Sequence, residues 1–217
     1  DGNSVIPYIT NWNMQEIVSG EYKLKISVVN KNKELLASSE TYFIRSNPKY
    51  DSENIEQMSA YTYLDTINRK SIMYAAKATA VTAPSVDVPI LNYLIANENI
   101  KGIRAYLYKH WADQSPTDPY SEFKKYMQLA QRIDDRFNSG FRNGFETDRG
   151  RVMLEYGKPN EVVGREQDLT SVPYEIWTYN QIEETGQTNV KFVFYNPSLV
   201  TNDLELIHST AYGEIKN

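Results

Sequence analysis

Between Gly144 and Glu161 the sequence GFETDRGRVMLEYGKPNE brings together groups that could do chemistry: Asp148, Glu155 and Glu161 as acids, Arg149 and Arg151 as cations, and Tyr156 as a hydroxyl. Two arginines two positions apart can clamp an anion through bidentate hydrogen bonds, or they can pair with acids of the same fold. Acids of matching number, Asp148 and Glu155 with Glu175 further on, favour internal pairing. If both arginines turn inward to such acids, the stretch supports the fold and recognition lies elsewhere. Carboxylate pairs for glycoside cleavage could be drawn from Asp148, Glu155, Glu161 and Glu175, but nearly any chain of this length offers such pairs.

Other chemistries find less support. His110 and His208 are the only histidines, and neither has a second ligand at helical or hairpin spacing, so no metal site is expected. The chain has no cysteine, which removes thiolate ligands, disulfides and a cysteine nucleophile. No Gly-x-Ser-x-Gly elbow occurs, and His208 and Ser209 would face opposite sides of a strand. Gly144, Gly150, Gly157 and Gly164 do not form a phosphate loop and read as turn and cap glycines. Asp134-Asp135 lacks the layout of a calcium loop and reads as a solvated helix face. No cofactor is implied. With 28 acidic and 23 basic residues the net charge is -5, a field that repels polyphosphate and argues against nucleic acid. No apolar run reaches the ~18 residues of a membrane span, and the first residues lack a signal-peptide core.

The elements that must position these groups follow from periodicity. Alternation at Tyr22, Leu24, Ile26 and Val28, a turn at residues 30–33 and a second run over 39–45 predict a β-hairpin; Val5 to Ile9 is a further strand candidate. These strands are too few to stand as a sandwich, which suggests the tail end of one whose earlier strands lie upstream, and the exposed edge invites self-association. Asp51 or Ser52 can cap a helix whose apolar stripe, Ile55, Met58, Tyr61, Leu64 and Ile67, continues to about Thr79. Further helical patterns cover Ile90 to Ile95, Ile100 to Trp111, and, from an Asp118-Pro119 start, Phe123 to Phe137.

In the opening stretch Thr147 is a natural N-cap, Asp148 complements the helix's positive end, Gly157 suits the positive-φ residue past the C-terminus and Pro159 stops continuation. A short helix over 148–156 is therefore expected, with an alternating strand as its rival. Three strands follow at Tyr174–Tyr179, Val190–Tyr195 and Leu204–Ser209, a pattern for an antiparallel meander. Trp177, Tyr179, Phe192, Phe194 and Tyr195 could make a sugar-stacking platform, but alternate members are expected to form the core face under the helix. The fold class is α+β: partial sandwich strands over 1–47, a helical region over 48–140, and a helix packed on an antiparallel sheet over 141–217.

Gly144-Phe145-Glu146-Thr147-Asp148 resembles the motif that names the GWxTD domain, a bacterial cell-envelope family, with Phe145 at the tryptophan position. The Tyr156-Gly157-Lys158-Pro159-Asn160-Glu161 segment, the Tyr174–Tyr179 strand and the His110-Trp111 lead-in are also similar to that family, over roughly residues 55–210. The phenylalanine keeps an aromatic for packing and lacks an indole donor. The resemblance implies an exported, periplasmic or outer-membrane-associated protein, often with a β-sandwich upstream, and no established reaction. The expected function is a non-catalytic envelope module that binds another envelope protein or an envelope component. Its expected binding surface is Arg149, Arg151, Tyr156, Asn160, Glu161 and Trp177, with Gly144, Phe145, Thr147, Asp148, Gly157 and Pro159 as the structural motif. The alternative is a glycan-binding or glycan-active protein using the motif carboxylates and the aromatic strands.

Overall fold

The computed structural model of the 217-residue chain describes residues 8–57, 62–165, 173–183, 185–196 and 203–214. Two compact units emerge, one from Asp1–Tyr61 with Pro84–Tyr106 and the other from Thr62–Ala83 with Leu107–Asn217. The class is α+β, with an N-terminal antiparallel strand pair, helices, and a C-terminal antiparallel sheet.

In the first unit β1 (Gly20–Val29) and β2 (Leu35–Arg45) form the expected hairpin. Tyr22 pairs with Phe43, Leu24 with Thr41 and Ile26 with Ser39, so these residues share one face. Asn30 organises the turn by accepting from the amides of Asn32 and Glu34, while Lys33 takes φ 65°. The further strand candidate lies partly outside the described residues, and its end, Tyr8 and Ile9, is irregular chain. Helix α1 (Pro48–Gln57) begins at the proline, three residues before the expected cap, because Pro fits the first helical position. Asp51 instead turns back to accept from the Ser19 amide at 2.9 Å, and the Asn47 amide donates to Ser19 Oγ at 2.6 Å, tying the foot of the hairpin to the helix. Helix α2 (Arg69–Thr82) belongs to the second unit, whereas α3 (Val88–Ala96) and the first part of α4 (Ile100–Gln114) complete the first; Tyr106 donates to Asp87 at 2.9 Å.

The single helix expected from residue 51 to about 79 is not formed. Thr62 caps a short 3-10 turn (Tyr63–Thr66), its amide bonded to Asp65, and Asn68 then caps α2 by accepting from Ser71. Two competing caps inside one apolar stripe outweigh its periodicity.

In the second unit α5 (Pro119–Phe137) starts as expected, with Asp118 accepting from the Ser121 amide. A second 3-10 turn (Gly144–Glu146) leads into α6 (Asp148–Tyr156), so the helical reading of the stretch holds over its rival. The sheet has four strands in sequential antiparallel order: β3 (Glu161–Arg165), β4 (Tyr174–Gln181), β5 (Thr188–Tyr195) and β6 (Glu205–Ser209). β3 is an addition to the expected three. Phe145, Val152, Trp177, Phe192 and Phe194 lie at the centre of the core with essentially no exposure, joined by Ala130, Ile133 and Phe137 of α5. Burial of these side chains, at about 25 cal/mol per Å² of apolar surface, is the main force closing helices onto sheet.

Candidate functional site

The residues of the structural motif are engaged within the fold. The 3-10 turn crosses α6 so closely that a Cβ on Gly150 would stand 1.8 Å from the Gly144 carbonyl oxygen, and one on Gly144 would meet the Ile133 and Asp134 backbone. Gly150, expected as a turn or cap glycine, therefore lies inside α6 as a close-approach residue, and Gly164 lies within β3. Phe145 is fully buried with its ring edge-on to Tyr74, centroids 5.1 Å apart, so the phenylalanine carries the packing role of the aromatic position. Thr147 Oγ1 donates to the Gly144 carbonyl at 2.6 Å and accepts from the Gly150 amide at 3.1 Å, which caps α6. Asp148 accepts from the Leu206 amide at 2.7 Å, fastening the helix start to the sheet. At the far end Gly157 adopts φ 73°, Tyr179 donates to its carbonyl, and Pro159 is buried.

Asp134 corrects the reading of a solvated helix face. It is 9% exposed and accepts from the Gly144 amide at 2.6 Å, from Asn138 Nδ2 at 3.0 Å and from the Tyr74 hydroxyl at 3.3 Å. One carboxylate thus joins α2, α5 and the motif turn; Asp135 stays outward with Gln131.

The two arginines are engaged with acids of the same unit. Arg149 donates to Glu175 Oε1 at 2.8 Å in a pair only 12% and 13% exposed, and its guanidinium lies over the Phe137 ring. Glu175 also accepts from Trp177 Nε1 at 2.7 Å. Arg151 reaches Glu155 at 3.1 Å and grips Glu214 with two bonds of 2.7 and 2.8 Å, while the Tyr156 hydroxyl donates to the same Glu214. Burial raises the Glu214 carboxyl, but the Arg151 bond and charge outweigh it and hold the group below the usual range. Burial dominates at Glu155 and leaves it raised despite Arg151. Tyr156 is pushed up first by burial and then by Glu155 and Glu214.

Among the expected binding residues, Trp177 is a core residue with no exposure rather than a surface one, because its face of β4 lies beneath α5. Tyr156 is half-buried, and Asn160 and Glu161 are exposed, with Asn160 accepting from the Asn180 amide at the start of β3. Tyr179, Phe192 and Phe194 are likewise buried, so the aromatic strands present no stacking platform with these rings. Among the described residues no group of three or more His, Asp or Glu could hold a metal ion, and no helix is long and apolar enough to cross a membrane.

The large apolar side chains left in water concentrate in the first unit. Ile26 and Val28 on one face of the hairpin, and Val29, Tyr42 and Ile44 on the other, are each more than half exposed, as are Leu35 and Leu36. Within the described residues β1 and β2 have only each other as sheet neighbours. A groove of about 700 Å³ runs between β1 and the Tyr8–Met14 chain, with Trp12 and Ile26 in its lining.

A short helix, capped at both ends and ion-paired onto a four-stranded antiparallel meander, defines the class: an α+β unit in which the shared stretch supports the fold. The family model described as the GWxTD domain matches residues 90–217, and the chain belongs to that family. No curated protein and no solved structure matches the chain.

Proposed function

We propose that the chain is a non-catalytic, exported module of the bacterial cell envelope that binds another protein through its N-terminal hairpin. The envelope reading is supported by the family likeness. The binding reading rests on one observation: a two-stranded sheet whose strands have unoccupied edges among the described residues and whose faces expose Ile26, Val28, Leu36, Tyr42 and Ile44. Isolated hairpins are marginal in water, and long exposed edges pair readily with a further strand. The complement to such a surface is a β-strand of the partner, held by backbone hydrogen bonds and by apolar contacts on alternate residues.

The motif stretch supports this reading indirectly, because its arginines, cap and glycines are occupied within the fold. The test is recovery of partners by the tagged chain from envelope extracts. Ile26→Lys with Ile44→Lys should lose at least tenfold of the partner retained by wild type, at an unchanged melting temperature. Asn160→Ala with Glu161→Ala should retain it. Equal recovery by the hairpin variant would overturn the reading, as would finding the protein in the cytoplasmic fraction alone.

A further inference from the structure

We propose that a polar depression beside Phe141 binds one ring of a saccharide. The depression, about 220 Å³, opens where the end of α5 meets the 3-10 turn, and its lining includes Lys77, Asn138, Phe141, Arg142, Asn143 and Glu146. Its size falls below the ~300 to 1,000 Å³ of a drug-sized site and is of the order of one sugar ring or a small ion. The walls are held in place from behind. Asn138 Oδ1 takes the Gly140 amide at 2.7 Å, Arg142 is gripped by Asp203 through bonds of 2.9 and 2.7 Å, and Glu146 accepts from the Asn143 amide and side chain. Phe141, 90% exposed, projects from this frame.

The mixture of groups selects the ligand class. Lys77 and Arg142 oppose a cation, Glu146 beside Lys77 opposes a bare anion, and a polar lining gives an apolar molecule nothing to bury against. A sugar ring fits all three constraints: each hydroxyl both donates and accepts, matching cationic donors beside amide and carboxylate acceptors. Its C–H face can lie on the exposed aromatic ring of Phe141 at the rim. This site is separate from the hairpin and does not depend on the protein-binding proposal.

Titration of the 15N-labelled chain with glucose, galactose, N-acetylglucosamine and glucuronic acid, followed by NMR, tests it. At least one sugar should shift the amides of residues 140–143 saturably, with a dissociation constant on the order of 1 to 10 mM, the strength of a single-ring contact. Phe141→Ala, at a site too exposed to affect folding, should weaken that binding at least tenfold, and Lys77→Met should weaken it measurably. The proposal is overturned if none of the four sugars saturates the loop, if Phe141→Ala binds as well as wild type, or if inorganic phosphate, run separately, saturates the loop while the sugars do not.

Discussion

Gly150 shows how much of the motif is steric. With the Gly144 carbonyl 1.8 Å from where a methyl would stand, Gly150→Ala must push the turn off the helix. The expected cost is about 3 kcal/mol, measured as a shift in the urea midpoint, with a smaller loss for Thr147→Ala of about 1 kcal/mol. Glu214 gives a pH signature. Its folded carboxyl titrates below the ordinary glutamate value, so its stabilising contribution is complete above that value and fades as pH falls through the lowered one. Glu155, shifted upward, contributes in the opposite sense, its stabilisation present at low pH and lost as pH rises through its folded value. Glu214→Gln should therefore flatten the loss of stability between about pH 5 and 3, seen in thermal melts across that range. Thr147, Gly157 and Pro159 were legible in the sequence because capping is a local rule. Asp134 and Glu214 were not: Tyr74 lies 60 residues from Asp134, and Arg151 lies 63 from Glu214, so only the fold reveals these partners.

The contact between α6 and β4 depends on the Arg149–Glu175–Trp177 group, where a nearly buried cation, its carboxylate and an indole donor satisfy one another. Removing one member strands the other. Glu175→Ala should destabilise the second unit by about 3 kcal/mol, whereas the joint change Arg149→Met with Glu175→Leu should recover part of that loss in the same denaturation assay, the Trp177 indole remaining unpaired. A joint variant as unstable as Glu175→Ala would mean that the pair is itself strongly favourable. Helices with strong start signals, such as Asp118-Pro119, could be read directly, as could strands with clean alternation. The break between α1 and α2 could not be read so directly, since Thr62 and Asn68 interrupt a stripe that stays in phase. β3 escaped notice because Glu161-Val-Val-Gly-Arg is five residues with one glycine, and it becomes a strand through pairing with β4, Glu161 opposite Thr178 and Arg165 opposite Tyr174.

Across the whole molecule, burial is unevenly shared. The second unit closes a core around Phe145, Trp177 and Phe194, whereas the hairpin of the first leaves large apolar side chains in water on both faces. Sequence alternation revealed the hairpin, but not that both faces would be open, because which side is covered depends on neighbours that the pattern does not name. The division of labour we propose is a fold-supporting motif in one unit and a recognition surface in the other. It is tested most directly by photo-cross-linking in intact cells, with a photoreactive residue placed singly at Val28, Leu36, Asn160 or Glu161, all exposed positions. Discrete cross-linked species from positions 28 and 36, and none from 160 and 161, are the expected result. Cross-links from 160 and 161 with a silent hairpin would contradict it and return recognition to the motif.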